Sequence, residues 1–352
     1  MKALVIEKQA VLNNIAVVRE RAGQAVIYAV LSGDGQGAGL VELATICRDA
    51  GIARFAVSEP EDVAALRRAG FVDEEILMLR STTDRTELEQ LVDCNAVCSV
   101  GSAETGAALN ALAAERATIV EAHIQIDTGL GFGGFPVEEP EKIMMAFRTM
   151  PNVAVSGVYT QVHFQEGANP QALERIKAFE AVLEQAHQEG FETGAIHIAG
   201  SYALLTYDFV RRDAVRAGSV LMGRCRRSKG DKLIEVGYGE ATLSEINWLP
   251  KGHTIGMRKP LTLKKPTRVA LLPVGYENGF GVESPEKEEG FLSSLLGDRR
   301  NTVLVNGGKA KVICTGARET LLDVTDLKCA VGDVARFPLE PMFARGLKRV
   351  YR

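Results

Sequence analysis

The sequence predicts an α/β protein, an N-terminal (β/α)8 TIM-type barrel followed by a C-terminal all-β domain. Three observations carry this. Up to about residue 235, short β-rich runs alternate with amphipathic helical patterns, and eight such alternations spell a parallel barrel wrapped by helices. After about Gly237 the pattern changes to short β-rich runs separated by proline, glycine and charge, with no long helix. At 352 residues the chain is too long for one average domain and comfortable for two, residues 1–235 and 236–352.

The predicted barrel strands are Val26–Leu31, Ala53–Val57, Ile76–Leu79, Ala96–Val100, Ile119–Ile126, Val153–Thr160, Ala195–Ile198 and Ala214–Leu221. Helical patterns between them include Ala38–Ala50, Pro60–Ala69, Arg85–Val92, Ala103–Glu115 and Gln171–Gln188. Pro60 and Pro170 open two of these, where a missing N–H costs nothing. Gly51, Gly70 and Gly190 follow three as C-terminal stops. Strands in the second domain are expected at Thr267–Gly275, Thr302–Val305, Lys311–Cys314 and Thr320–Val324, with Glu277–Arg300 a charged surface excursion.

Composition excludes several classes. Hydrophobic residues make up 46% and charged residues 24%, close to soluble globular averages, so a chain this long buries a large core without staples. A net charge of −4 gives no reason for a nucleic-acid partner. No apolar run reaches membrane-spanning length, and Glu7 and Lys8 break the first apolar stretch, so neither a membrane nor a signal peptide is expected. The six cysteines are scattered; Cys94 and Cys98 have no second pair to complete a zinc framework, and free thiols in the cytoplasm are expected.

Motifs then narrow the field. IYAVLSGDGQGAG, QIDTGLGFGGF, HIAGSYALL, AVRAGSVLMG and, in the second domain, GHTIGMRKPLTLKKPTRVALLPVGYENGFGV occur in order and cover nearly the whole chain. Together they resemble the alanine racemase family of fold-type III pyridoxal-phosphate enzymes. That resemblance implies a lysine at the end of the first barrel strand and a tyrosine from the β domain as two bases, with the cofactor between them. Here the lysine position holds Ser32 and the tyrosine position Met257, which has no proton to exchange. A serine hydroxyl cannot form an imine with an aldehyde cofactor. No lysine occurs between Lys8 and Lys142, a span covering five predicted strands. The phosphate-contacting tyrosine falls on Gln36 and the histidine after it on Ala38. The arginine of the D-T-G-x-G-R motif falls on Phe132 and its opening lysine on Gln125. No counterpart of the family's carboxylate-binding pair stands near Cys314 and Ala317.

Other positions persist. Asp127 and Thr128 keep the D-T-G turn, and Tyr276 matches the G-Y-A-D-G tyrosine. Ser201, Gly218 and Ser219 match the family's phosphate-holding segments, and Arg216 the arginine at the pyridine nitrogen. His197 matches a barrel-end position. Each has a plainer reading: Asp127 and Thr128 shape a turn, Gly218 permits a bend, His197 packs, and Arg216 pairs with Asp213 or another carboxylate. His163 lies near a family T-H-F segment but needs a two-residue insertion to match. The cluster Arg224, Arg226, Arg227 and Lys229 reads as a solvated linker.

The leading expectation is a member that has lost pyridoxal-phosphate-dependent racemisation and keeps a binding, regulatory or partner-subunit role. The family context implies D-alanine and cell-wall precursor metabolism. No covalently held cofactor is expected. Partners implied are a head-to-tail homodimer, a heterodimer with a sibling racemase, and a small anionic or amino-acid ligand. Two alternatives stay open: a pyridoxal-phosphate racemase with a divergent site, and a cofactor-independent enzyme on the same barrel.

Overall fold

The computed structural model describes residues 1–164, 169–225, 232–256, 260–282 and 302–352. They form two compact units, Val11–Ile234 and Met1–Ala10 with Glu235–Arg352. The first ten residues, expected with the barrel, join the β unit instead. The reason lies in strand Lys2–Ile6, whose Leu4, Val5 and Ile6 are at most 1% exposed and need neighbours on both sides. It finds them in Tyr238–Thr242, antiparallel, and Lys348–Tyr351, parallel.

In the first unit eight parallel strands follow chain order around a barrel: Val26–Val30, Arg54–Val57, Glu75–Met78, Cys98–Val100, Val120–Asp127, Val153–Thr160, Ala195–His197 and Ala214–Ala217. The first pairs with the last, and a parallel bridge between Leu77 and Val97 joins the third to the fourth. The eighth strand stops at Ala217, four residues before the predicted end. Beyond it the Gly218 and Val220 N–H groups donate to the Ser201 hydroxyl, and Leu221 N–H closes a turn onto the Gly218 carbonyl. A backbone whose donors serve a side chain and a turn cannot extend a ladder.

Helices Leu40–Asp49, Pro60–Arg68, Arg85–Asp93, Ala103–Glu115 and Pro170–Gln188 lie within two residues of their predicted bounds. The Asp84 carboxylate accepts from Glu87 N–H at 3.0 Å, and Ser102 with Thr105 forms a capping box, so two starts are fixed by local chemistry. Gly51, Gly70 and Gly190 take φ of +81°, +92° and +84°, the left-handed stops that let the chain turn back. Helix Pro140–Thr149, absent from the sequence reading, buries Ile143, Met144 and Ala146.

The β unit holds a nine-stranded sheet in the order Glu245–Leu249, Thr267–Leu272, Thr320–Asp323, Gly308–Thr315, Thr302–Val305, Val334–Pro338, Tyr238–Thr242, Lys2–Ile6 and Lys348–Tyr351. Gly239 is required there, because a Cβ would lie 1.9 Å from the Phe337 ring. Among the described residues from Glu235 onward this unit contains only short 3-10 turns as helix, in line with the expected all-β domain. No helix among the described residues is long and apolar enough to cross a membrane.

Candidate functional site at the barrel mouth

The carboxyl ends of parallel barrel strands are where loops can gather side chains from several strands. After the first strand the backbone enters a run of left-handed residues, with φ of +68° at Gly33, +54° at Asp34, +62° at Gly35, +53° at Gln36 and +82° at Gly37. Glycine takes these angles freely; Asp34 and Gln36 do so under strain. The Asp34 carboxylate offsets this by accepting from Leu40 N–H at 3.0 Å, at the start of the next helix. Gln36 folds back, donating to the Val30 and Ser32 carbonyls at 3.3 and 3.2 Å. The Ser32 hydroxyl lies 2.7 Å from that of Ser58, which follows the second strand.

The fifth strand ends in Asp127, whose carboxylate accepts from Gly129, Leu130 and Gly131 N–H at 2.8, 2.8 and 3.0 Å. Its carboxylate holds the following loop, the plainer of the two readings open for it. Thr128 is buried against the Thr160 hydroxyl at 3.0 Å. Gln125 donates to the Phe132 and Gly133 carbonyls, fixing the loop's return, while the Phe132 side chain is 87% exposed.

Arg216 is the centre of the mouth. It is only 6% exposed, and its pairing differs from the carboxylate partnership that the sequence allowed. Asp213 instead accepts from Ile196 N–H at 2.8 Å. One Arg216 terminal nitrogen donates to His197 Nδ1 at 2.7 Å and the His197 carbonyl at 3.2 Å. The other donates to the Thr160 carbonyl at 2.8 Å and Gln161 Oε1 at 2.7 Å. Every acceptor is neutral. Burial pushes the guanidinium down to about 10. The Tyr159 ring, 5.1 Å from the guanidinium carbon, adds a weak cation–π contact.

Behind Arg216 the polar column continues. With His197 Nδ1 accepting from Arg216, His197 Nε2 carries its proton and donates to His123 Nδ1 at 2.9 Å. Burial, then the Arg216 charge, holds His123 down to about 3 and His197 well below its usual range. Both are neutral imidazoles at ordinary pH. His197 is therefore no free barrel-end base; it is packed between Tyr28 and Tyr159, with ring centroids 5.6 and 4.9 Å away. Tyr159 donates to the Leu79 carbonyl and lies 2.9 Å from the Ser99 hydroxyl.

A cavity of about 410 Å³ opens over this cluster, lined in part by Ser58, Arg80, Gln125, Phe132, Gln161 and Arg216. Of the residues singled out from sequence, Gln125, Phe132 and Arg216 line it. Ser32 reaches it through Ser58, while Ser201 spends its hydroxyl on the Gly218 and Val220 N–H groups. Ser219 is half-buried beside them, its carbonyl accepting from Met222 and Arg224 N–H. Tyr276 belongs to the β unit and is half-exposed there. Cys314 and Ala317 also sit in that unit, Ala317 accepting from Glu277 N–H. His163 is exposed. Met257, Arg226, Arg227, Lys229 and Glu283–Arg300 lie outside the described residues. Sequence reasoning missed Ser58, Tyr159 and Gln161; each stands at or just past a strand end, the one signal that could have found them. Among the described residues no cluster of His, Cys, Asp and Glu is placed to hold a metal ion.

A closed parallel barrel with polar groups gathered at its carboxyl mouth, on a chain that also builds a mostly antiparallel β unit, defines the class. Residues 6–225 match the alanine racemase N-terminal domain and residues 237–337 the alanine racemase C-terminal domain, and the chain belongs to the alanine racemase family. An alanine racemase of Desulfosudis oleivorans is 26% identical over 345 residues, covering 93% of this chain and 85% of that protein. The fold matches the alanine racemase of D-cycloserine-producing Streptomyces lavendulae with a TM-score of 0.87 at 22% identity, covering 100% and 97% of the two chains. It also matches that of Bartonella henselae, solved with covalently bound pyridoxal phosphate, with a TM-score of 0.84 at 19% identity, covering 100% and 99%.

The residues present do not fit a covalently held aldehyde cofactor at this mouth. The first-strand position carries a hydroxyl already paired with Ser58, and among the described residues no lysine lines the cavity.

Proposed function

We propose that this member of the alanine racemase family binds a small molecule non-covalently at the barrel mouth and does not racemise amino acids by lysine chemistry. One observation carries the reading: Ser32, at the end of the first strand, presents a hydroxyl tied to Ser58, with no amine among the described residues that line the cavity. An amine is the group that both captures an aldehyde and exchanges an α-proton, so its loss removes covalent anchoring and one base together. Phe132 in place of an arginine and Gln36 folded back on the strand support the same conclusion. The Ser201 hydroxyl engages the two backbone donors nearest it, so an incoming phosphate would have to displace it.

The test is reduction with borohydride after incubation with pyridoxal phosphate, followed by peptide mapping. The protein is expected to stay colourless and unlabelled in the barrel. A pyridoxyl group on a barrel lysine, or alanine racemisation above background, would overturn the proposal. Ser32→Lys alone is expected to recover little activity, because members of a catalytic unit are strongly non-additive.

A further inference from the structure

Arg216 poses a charge problem that the fold leaves unsolved. A guanidinium has five N–H donors and one full positive charge. Four donors are used, all on neutral acceptors, namely His197 Nδ1, the His197 and Thr160 carbonyls, and Gln161 Oε1. The fifth, on Nε, has no partner among the described residues. Burying a cation without a counter-charge is expensive, and the two histidines behind it are neutral. The other arginine lining the cavity is in the opposite condition: Arg80 is held by Glu87 at 2.9 Å and Glu59 at 3.2 Å. Among the described residues the cavity thus carries one unmatched positive charge, and Arg216 holds it.

We propose that Arg216 and the cavity it lines bind a small carboxylic acid. The carboxylate seats on the Arg216 Nε–H and the side-chain amide of Gln161, and its body lies against Leu79, Tyr159 and Phe132. The match is one of charge and of donors. One unmatched cation balances a monoanion, whereas a phosphate monoester, at about −1.5 to −2, would leave negative charge over. The Gln161 amide is oriented with Oε1 on Arg216, which leaves its NH2 as a further donor at this cluster. Leu79 and the Tyr159 ring supply apolar wall, and the largely exposed Phe132 stands at the rim where an apolar body would cover it. A cavity of about 410 Å³ takes a ligand of metabolite size.

The inference rests on the non-covalent reading above, and its test is separate. The full-length protein is titrated with benzoate, with its neutral isostere benzamide and with inorganic phosphate, by calorimetry and thermal shift. Benzoate is expected to saturate and to raise the melting temperature, with benzamide and phosphate binding more weakly. Gln161→Glu places a carboxylate against Arg216, so it should stabilise the free protein and lower benzoate affinity about tenfold or more. Phe132→Ala, at an exposed side chain, leaves folding intact and should weaken benzoate a few-fold. Absence of saturable benzoate binding, benzamide or phosphate binding as tightly as benzoate, or unchanged benzoate affinity in Gln161→Glu would each overturn the assignment. A pyridoxyl-lysine in the borohydride experiment sinks the proposed function instead, and leaves the benzoate result standing.

Discussion

The barrel contains two polar clusters, one part-exposed and one buried, and among the described residues only the first has a counter-charge. Where the second and third strands begin, Arg54 and Glu75 pair at 3.1 Å, and the Tyr28 hydroxyl donates to the same carboxylate. Toward the mouth, Arg216 meets only neutral acceptors among the described residues. The two clusters touch, since the Tyr28 and His197 rings stack at 5.6 Å. Burial pushes the Tyr28 phenol up, with Glu75 adding to it; the same burial pushes Arg216 down. Among the described residues charge is matched at the amino end of the barrel strands and left unmatched at the carboxyl end, where TIM-type barrels in general build their sites. An internal pair is finished when the chain folds. A lone cation is finished only by something from outside.

The largest effect is expected from the packing behind Arg216. A Cβ at Gly157 would lie 2.6 Å from the His123 ring, inside any real contact distance. Gly157→Ala is therefore expected to cost about 2–4 kcal/mol in denaturant unfolding, through overpacking of a buried ring. A loss well under 1 kcal/mol would mean that the histidine column yields easily and does not fix Arg216.

A pair of near-isosteric changes sharpens the contrast by sign. Glu75→Gln removes the charge that Arg54 and Tyr28 share and should destabilise by about 1–2 kcal/mol, reduced because both ionic side chains are about a third exposed. Gln161→Glu adds a charge at the other cluster and should stabilise by up to about 1 kcal/mol. Shifts of the same sign would erase the distinction drawn between the two clusters.

The histidines give a pH test. His123 is held to about 3 and His197 well below its usual range, whereas the unfolded chain takes up protons near 6.5. Between those values the unfolded state binds more protons. Their contribution to stability is therefore complete above about pH 6.5 and is lost as pH falls toward about 3, by up to about 1.4 kcal/mol per pH unit for each proton. Imidazole NMR signals from His123 and His197 should not titrate between pH 8 and 5. A midpoint near 6 for either would show that the column is not neutral.

The smallest effect is expected at the rim. Phe132 is 87% exposed, so Phe132→Ala should leave unfolding stability within about 0.5 kcal/mol of the parent. A larger loss would mean that the ring packs on something in solution.

The chain's own order of residues determined the barrel and the chemistry it lacks. Strand runs separated by helical patterns, the prolines at Pro60 and Pro170 and the glycines at Gly51, Gly70 and Gly190 are local signals, and the observed elements follow them closely. The absence of lysine between Lys8 and Lys142 is likewise a fact of sequence, independent of how the chain packs. Tertiary structure decided the rest. It drew Lys2–Ile6 into the β sheet, ended the eighth strand at Ala217, and gave Asp127 to its own loop rather than to the cavity. It also brought Ser58, Tyr159 and Gln161, from the second and sixth strands, to one cavity with Arg216 of the eighth. Periodicity reports which way a side chain faces, but barrel closure and register set which side chains meet across it. That is why Arg216 was legible as a matched position and its missing counter-charge was not.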